Sequence, residues 1–491
     1  MLRNLRIRNG AATNSILLTF VQIITTGLGL IITKLLSVCF SLQEFGTYSQ
    51  TLLVTSTVTS ISILGLTNAT NYFYNRTNEE KVQRTYIATI FTLQYIVGIF
   101  CAIIVIVFRG VIAKYFDNQN LTLSLPIVAF TPFLSNLISM YQTLFVSIGK
   151  AKVLVLRNLL VSLIRLFSVC LACFVFDNIV TILVVVLCLD IGQVVYFYCF
   201  YRTCKYSIKV QDSSLSLLKE ILAFSIPMSI YVLTNSLSRD IDKYVISAFA
   251  NTETLAIYTN AAKILPFDIL TSSLITVLIP IITRLINQKQ HKEAKRVFQF
   301  YLRIGYILTF TFVGGAVALS KNLMLFLYDE KYLAGHSVFV IYLFVDMIRF
   351  ANVTTILSGA GKTKILMFVS VVALVCNGAF NIIGYHLFGL VGPAIVTLLI
   401  TFVMTVTLLY YGARTIESRI EELFNFKEIL LIAFEILLVG SAVSVLSKFL
   451  DICRVPYVFS LIGCYGLYLI FLVSINYKRV LECYRQLNQY K

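Results

Sequence analysis

The chain has 491 residues, 58% of them hydrophobic and 13% charged, with 40 Lys+Arg against 23 Asp+Glu for a formal charge of +17 and a mean hydropathy of +0.86. A soluble chain of this length would form several domains with far more surface charge. A nucleic-acid-binding protein would need exposed basic faces that this composition lacks, so nucleic acid is not an expected partner.

At roughly 20 apolar residues per crossing, the composition admits about fourteen membrane helices. The first follows Arg3, Arg6 and Arg8. Its apolar run, Ile16 to about Val38, is too long for a signal peptide and no small-residue cleavage site follows, which makes it a membrane helix. In chain order the runs fall near 14–38, 46–72, 85–108, 121–146, 157–176, 179–201, 221–248, 255–283, 300–320, 336–358, 364–387, 389–412, 428–448 and 455–475. If these alternate across the bilayer, one side carries 27 Lys+Arg and the other 6, with 7 left inside helices. Over short loops that bias places both termini in the cytoplasm. The fold class expected is an all-α polytopic membrane protein.

Several features exclude chemistry. The eleven cysteines are scattered and mostly apolar in context, including the Cys170/Cys173 pair, and read as small core residues. Gly359-Ala-Gly-Lys-Thr363 lacks the first glycine of a P-loop, since Ile356 stands in its place. The only histidines, His291, His336 and His386, form no catalytic constellation, and no loop can house a soluble catalytic domain. An enzyme is not expected, nor is a cofactor.

The chain repeats itself. Tyr48 and Tyr258 follow helices 1 and 7 and lie 210 residues apart; Gly149-Lys150 and Gly361-Lys362 follow helices 4 and 10 and lie 212 apart. This spacing predicts duplication of a six-helix unit as two parallel repeats. The expected division is an N-terminal lobe over 1–205, a C-terminal lobe over 206–415, and helices 13 and 14 with a tail over 416–491.

Leu222-Ala-Phe-Ser-Ile-Pro227, Asp242-Lys-Tyr-Val-Ile-Ser247, Tyr258, Pro266 and Pro280 resemble the seventh and eighth helices of polysaccharide repeat-unit flippases. Tyr332, Gly361-Lys362-Thr363-Lys364, Asn377, Asn381 and Phe388-Gly-Leu-Val-Gly392 extend the resemblance over the whole chain. The family is that of O-antigen and capsule flippases in the multidrug/oligosaccharidyl-lipid/polysaccharide (MOP) exporter superfamily. The resemblance implies a multi-pass protein of the bacterial cytoplasmic membrane that moves an undecaprenyl-diphosphate-linked oligosaccharide to the outer leaflet by alternating access. It implies membrane lipid, a polysaccharide polymerase and chain-length proteins as partners. A multidrug and toxin extrusion-type cation antiporter and a membrane-embedded polymerase or acyltransferase are the alternatives.

Charges within membrane helices are costly and by default face a cavity or a partner. They are Lys34, Arg165, Asp190, Arg239, Asp240, Asp242, Lys243, Lys263, Asp268, Arg303, Asp346, Arg349 and Glu435. An anionic diphosphate requires cations near the bundle centre, and Arg165, Lys263 and Arg349 fit best; an Asp346–Arg349 bridge and a loose Lys263–Asp268 pair are their structural alternatives, and an Arg239–Asp242 or Asp240–Lys243 pair is that of the acidic cluster in helix 7. Lys34 is placed to snorkel. By resemblance to sodium-binding lipid II flippases, Asp242 with Asn377, Asn381 and Thr397 forms the ion-coupling set. Asn381 stands where a second carboxylate is usual, which leaves Na⁺ and H⁺ as rival coupling ions. Where those relatives carry a helix-8 Arg, the aligned residue is Ala261, with Lys263 two positions on.

Overall fold

The computed structural model describes residues 2–76, 79–148, 150–176, 178–203, 208–267, 278, 281–286, 288–350 and 353–488, and side chains from residue 21 onward apart from those of 151, 152, 231 and 488. Every regular element among them is helical. Twelve stretches are long and apolar enough to cross a membrane, and one of these, Thr363–Thr415, is two helices joined at Gly389–Val391. The eighth expected run, 255–283, lies largely outside the described residues. Two starts differ from the sequence expectation. The first helix begins at Leu2, absorbing the Arg3–Arg8 segment, and the ninth at His291, absorbing Lys292, Lys295 and Arg296.

The chain divides into two compact units, Met1–Ala256 and Ile257–Lys491. The first contains α1 (Leu2–Cys39), α2 (Leu42–Ser62), α3 (Leu66–Arg76), α4 (Glu80–Val107), α5 (Arg109–Tyr115), α6 (Leu121–Val128), α7 (Thr131–Ser147), α8 (Ala151–Leu171), α9 (Ile179–Thr203) and α10 (Leu215–Phe249). Ser41 starts α2 with a capping box: its Oγ accepts from Glu44 N at 3.2 Å, and Glu44 Oε2 accepts from Ser41 N at 2.9 Å. The second sequence run breaks between α2 and α3, where Leu64 (φ 45°) and Gly65 (φ 68°) adopt left-handed backbone. A Cβ on Gly65 would lie 2.5 Å from the Ser225 carbonyl of α10, so glycine is required there.

Lipid tails are as apolar as Leu, so helices in a bilayer associate by close packing and interhelical hydrogen bonds. Both occur here. An aromatic core joins α3, α4, α7 and α9: Phe73 stacks on Tyr86 (centroids 4.7 Å), and Phe91 and Phe197 flank Tyr141 at 4.9 and 5.9 Å. The Ser/Thr-rich α2 faces α10 across a polar seam, with Ser60 donating to Ser236 at 2.7 Å, Thr57 meeting Tyr244 at 2.6 Å and Ser56 donating to Asp240 at 3.4 Å. The helix expected to open the second lobe thus packs on α2 and α3, within the first compact unit.

The second unit takes up the chain within α11 (Thr252–Ala261) and continues with α12 (His291–Ala318), α13 (Ser320–Leu327), α14 (His336–Ile348), α15 (Thr355–Gly359), α16 (Thr363–Phe388), α17 (Gly392–Thr415), α18 (Phe426–Ile452) and α19 (Tyr457–Asn488). The tenth expected run, 336–358, is split between α14 and α15. Helix α12 is the most buried of the crossing helices. Gly314 and Gly315 let Tyr465 and Tyr468 of α19 lie against it, and a Cβ on Gly315 would sit 2.7 Å from the Tyr468 ring.

The two Gly-Lys turns share one geometry. In the first, Ile148 N donates to Leu144 O (2.9 Å), Lys150 N to Phe145 O (2.8 Å) and Val153 N to Lys150 O (3.1 Å). In the second, Ala360 N donates to Ile356 O (2.9 Å), Lys362 N to Leu357 O (2.9 Å) and Ile365 N to Lys362 O (3.2 Å). Each bond recurs 212 residues later, the offset of the sequence repeat.

Candidate functional site

Helix α8 places Arg157, Val161 and Arg165 four residues apart, so all three share one face. With Asn158 and Ser162 they line a cavity of about 350 Å³ within the first unit. Helix α7 contributes Ser135, Ser139 and Gln142, α9 contributes Asp190 and Gln193, and α1 contributes Thr25.

The cavity contains two guanidinium groups and one carboxylate. Asp190 is 7% exposed and accepts a 3.0 Å hydrogen bond from Gln193 Nε2. Both arginines lie close enough to act electrostatically on it, yet none of the three forms an ion pair within 4.0 Å among the described residues. Arg157 sits 5.2 Å over the Phe197 ring and donates through Nη1 to Asn158 Oδ1 at 2.7 Å. Its Nε and the Gln193 Oε1 are buried without a hydrogen-bond partner among the described residues. Such atoms cost about 1–3 kcal/mol each when left unmade, and here both belong to residues that line the cavity.

Arg165 lines this cavity. Arg157, at the first position of the expected run 157–176, is a second cavity cation that the intramembrane charges read from the sequence do not include; its eight-residue spacing from Arg165 is the signal that points to it. Lys263 and Arg349 belong to the second unit. Lys263 lies just past α11 and Arg349 closes α14 through its amide to Val345 O at 3.2 Å; both are half-buried. Their segments are tied together by Asp346, whose Oδ2 accepts from Leu265 N at 3.0 Å. Asp268 lies outside the described residues.

Of the ion-coupling set, Asp242 is in the first unit, 1% exposed, with Oδ1 accepting from Lys243 N at 2.9 Å. The neighbouring Asp240–Lys243 pair forms at 2.6 Å, while Arg239 is exposed. Asn377, Asn381 and Thr397 are all buried in the second unit, on the closely packed α16 and α17. Asn381 is 0% exposed, and among the described residues neither its amide atoms nor Thr397 Oγ1 has a hydrogen-bond partner. The unpartnered amide and hydroxyl oxygens are of the donor type a hard monovalent cation takes, and α16 and α17 contain no carboxylate. Among the described residues no group of three His, Cys, Asp or Glu is placed to hold a metal.

Two further intramembrane charges, Arg303 and Glu435, are bound by neighbouring helices. Arg303 of α12 makes two hydrogen bonds to Glu428 of α18, at 2.7 and 2.6 Å, and Tyr306 donates to the same carboxylate at 2.6 Å. Glu435 accepts from Asn476 at 3.0 Å and pairs with Arg479 at 3.3 Å.

The profile of a family described as polysaccharide biosynthesis protein matches residues 31–337, more than half of the chain. The chain belongs to this family. A search of curated proteins finds no match. Among solved structures, the fold is similar to the lipid II flippase MurJ in an inward closed conformation, with TM-score 0.74 and 14% identity over 95% of this chain and 100% of that one. It is also similar to an inward-facing multidrug resistance MATE family transporter of the MOP superfamily (TM-score 0.68, 14% identity, 80% and 94% covered). A MOP superfamily transporter from Pyrococcus furiosus, described by the reversed polarity of its binding pocket, gives TM-score 0.62 at 14% identity (83% and 95% covered). The family member described here therefore has the fold of MOP superfamily transporters and is a multi-pass membrane protein.

Proposed function

We propose that the protein is a flippase that carries an undecaprenyl-diphosphate-linked oligosaccharide repeat unit from the cytoplasmic to the outer leaflet of the bacterial cytoplasmic membrane. The observation that carries this reading is the cavity in which Arg157 and Arg165 outnumber the single carboxylate of Asp190. A diphosphate leaving water for a bilayer must replace its hydration with charge-assisted hydrogen bonds, and planar guanidinium groups supply these in pairs. A cavity with excess positive charge is a poor match for an organic cation, which disfavours the drug-antiporter alternative. Polysaccharide biosynthesis as the family's description and the flippase fold of MurJ support the same substrate class. The charge bias of the loops supports cytoplasmic termini.

Lys263 and Arg349, in the second unit, are proposed as further substrate-contacting cations. Coupling to a Na⁺ or H⁺ gradient is assigned to Asn377, Asn381 and Thr397 in the second unit and to Asp242 in the first, each of which is tested by its own substitution. The test of the transport reading is flipping of a prenyl-diphosphate-linked oligosaccharide in proteoliposomes. Arg157→Ala and Arg165→Ala are expected to lower it tenfold or more with the protein still folded in the membrane. Wild-type flipping in both variants would sink the reading.

A further inference from the structure

Helices α16 and α17 are closed on each other at one end and grooved at the other. At Gly384 and Gly392 their backbones touch, and a Cβ on Gly392 would lie 1.9 Å from the Gly384 carbonyl oxygen. Away from this contact, residues 364–376 and 400–411 line a groove of about 410 Å³. Its walls include Phe368, Val372 and Val403, all exposed, with Lys364 and Tyr411 where the groove reaches the start of α16 and the end of α17. At 1.5 Å per residue, the stretch from Lys364 to Cys376 is about 18 Å long. That is close to one leaflet of a hydrocarbon core about 30 Å thick.

An apolar groove in a bilayer selects nothing by itself, because every lipid tail fits it equally well. Selection must come from the mouth, and the mouth is basic. Lys364 is in no ion pair among the described residues. Lys362 Nζ donates to Thr415 Oγ1 at 3.2 Å, fastening the start of α16 to the end of α17. Arg414 lies 4.7 Å over the Tyr410 ring in the last turn of α17. Of the acidic residues that follow α17, Glu417 lies 3.8 Å from His291 and Glu422 accepts from Lys295 at 2.5 Å and Ser418 at 2.8 Å, while Glu421 is exposed and in no ion pair among the described residues. The Lys295 contact holds the Glu422 carboxyl down at about 2.

We infer that the α16/α17 groove is a binding site for an anionic phospholipid, with one acyl chain along Phe368, Val372 and Val403 and the headgroup phosphate at Lys364, Lys362 and Arg414. The site lies wholly within the second unit, outside the cavity assigned to transport, and its ligand is a resident lipid of one leaflet.

The test is native mass spectrometry of the full-length protein titrated with phosphatidylglycerol and phosphatidylethanolamine of matched chains. Each basic residue near an anionic headgroup is worth about fivefold in affinity, so phosphatidylglycerol is expected to bind at least fivefold more tightly. The K362Q/K364Q double variant is expected to lose that preference and K362R/K364R to keep it. Equal binding of the two lipids by the wild type, or an unchanged preference in K362Q/K364Q, overturns the proposal. If a polyprenyl phosphate displaces phosphatidylglycerol at equal concentration, the groove belongs to a prenyl chain and the phospholipid assignment fails.

Discussion

Arg303 and Glu428 meet fork to fork between α12 and α18, through Nε to Oε2 at 2.7 Å and Nη2 to Oε1 at 2.6 Å. The carboxylate is buried and also takes the Tyr306 hydroxyl at 2.6 Å, while Asn425 Oδ1 caps the Glu428 amide at 3.3 Å. A buried pair of this kind adds little over apolar packing, but removing one partner strands the other charge. Arg303→Ala is therefore expected to destabilise the protein by about 3–5 kcal/mol. Thermal unfolding in detergent measures this, and the double change R303M/E428L should recover much of the loss. A stable but inactive Arg303→Ala protein would instead place this arginine in transport.

The cavity in the first unit predicts opposite effects for its opposite charges. Arg157→Ala is expected to weaken binding of inorganic pyrophosphate by about tenfold to a hundredfold, the range of a hydrogen bond to a charged group. Asp190→Asn, which removes the competing anion, is expected to tighten it. Calorimetric titration of the purified protein reads both. Weaker binding after Asp190→Asn would mean that the carboxylate organises the arginines and does not compete with the ligand.

Asn381 and Thr397 separate a structural role from an ion-coupling one. Replacing an unpartnered buried polar group by an apolar group of similar shape removes a penalty of about 1–3 kcal/mol. Asn381→Leu and Thr397→Val are thus expected to leave thermal stability unchanged or raised while flipping loses its response to a Na⁺ or H⁺ gradient. Retained gradient dependence in both variants would withdraw the cluster from coupling.

The Gly384–Gly392 contact predicts a severe effect from a small change. Gly392→Ala would put a methyl 1.9 Å from the Gly384 oxygen and 2.9 Å from Tyr385 N. Overpacking against backbone costs about 1–3 kcal/mol or more, so the melting temperature should fall. Gly389→Ala, where nothing lies within 4 Å, meets no clash, but φ 59° with ψ −136° is a backbone region essentially reserved for glycine, so it should cost about 1–3 kcal/mol of strain.

The sequence by itself determined that the chain is all-helical, spans a membrane many times, and roughly where the helices run. These depend on a local quantity, the length of apolar runs; the Gly-Lys positions 212 residues apart are likewise local, and they share a turn geometry. Arg165 was also legible, because a charge deep in an apolar run is costly wherever the run folds. Which charges are consumed by neighbours was decided only by tertiary structure. Arg303 and Arg165 look alike in sequence, each an arginine several residues into an apolar run. One finds Glu428, 125 residues away, while the other faces a cavity that it shares with Arg157 and Asp190. Pairing across so many residues depends on which helix faces meet, and helix periodicity alone does not specify the partner. The break at Leu64–Gly65 was equally hidden, because its cause is the backbone of α10 at Ser225, about 160 residues downstream.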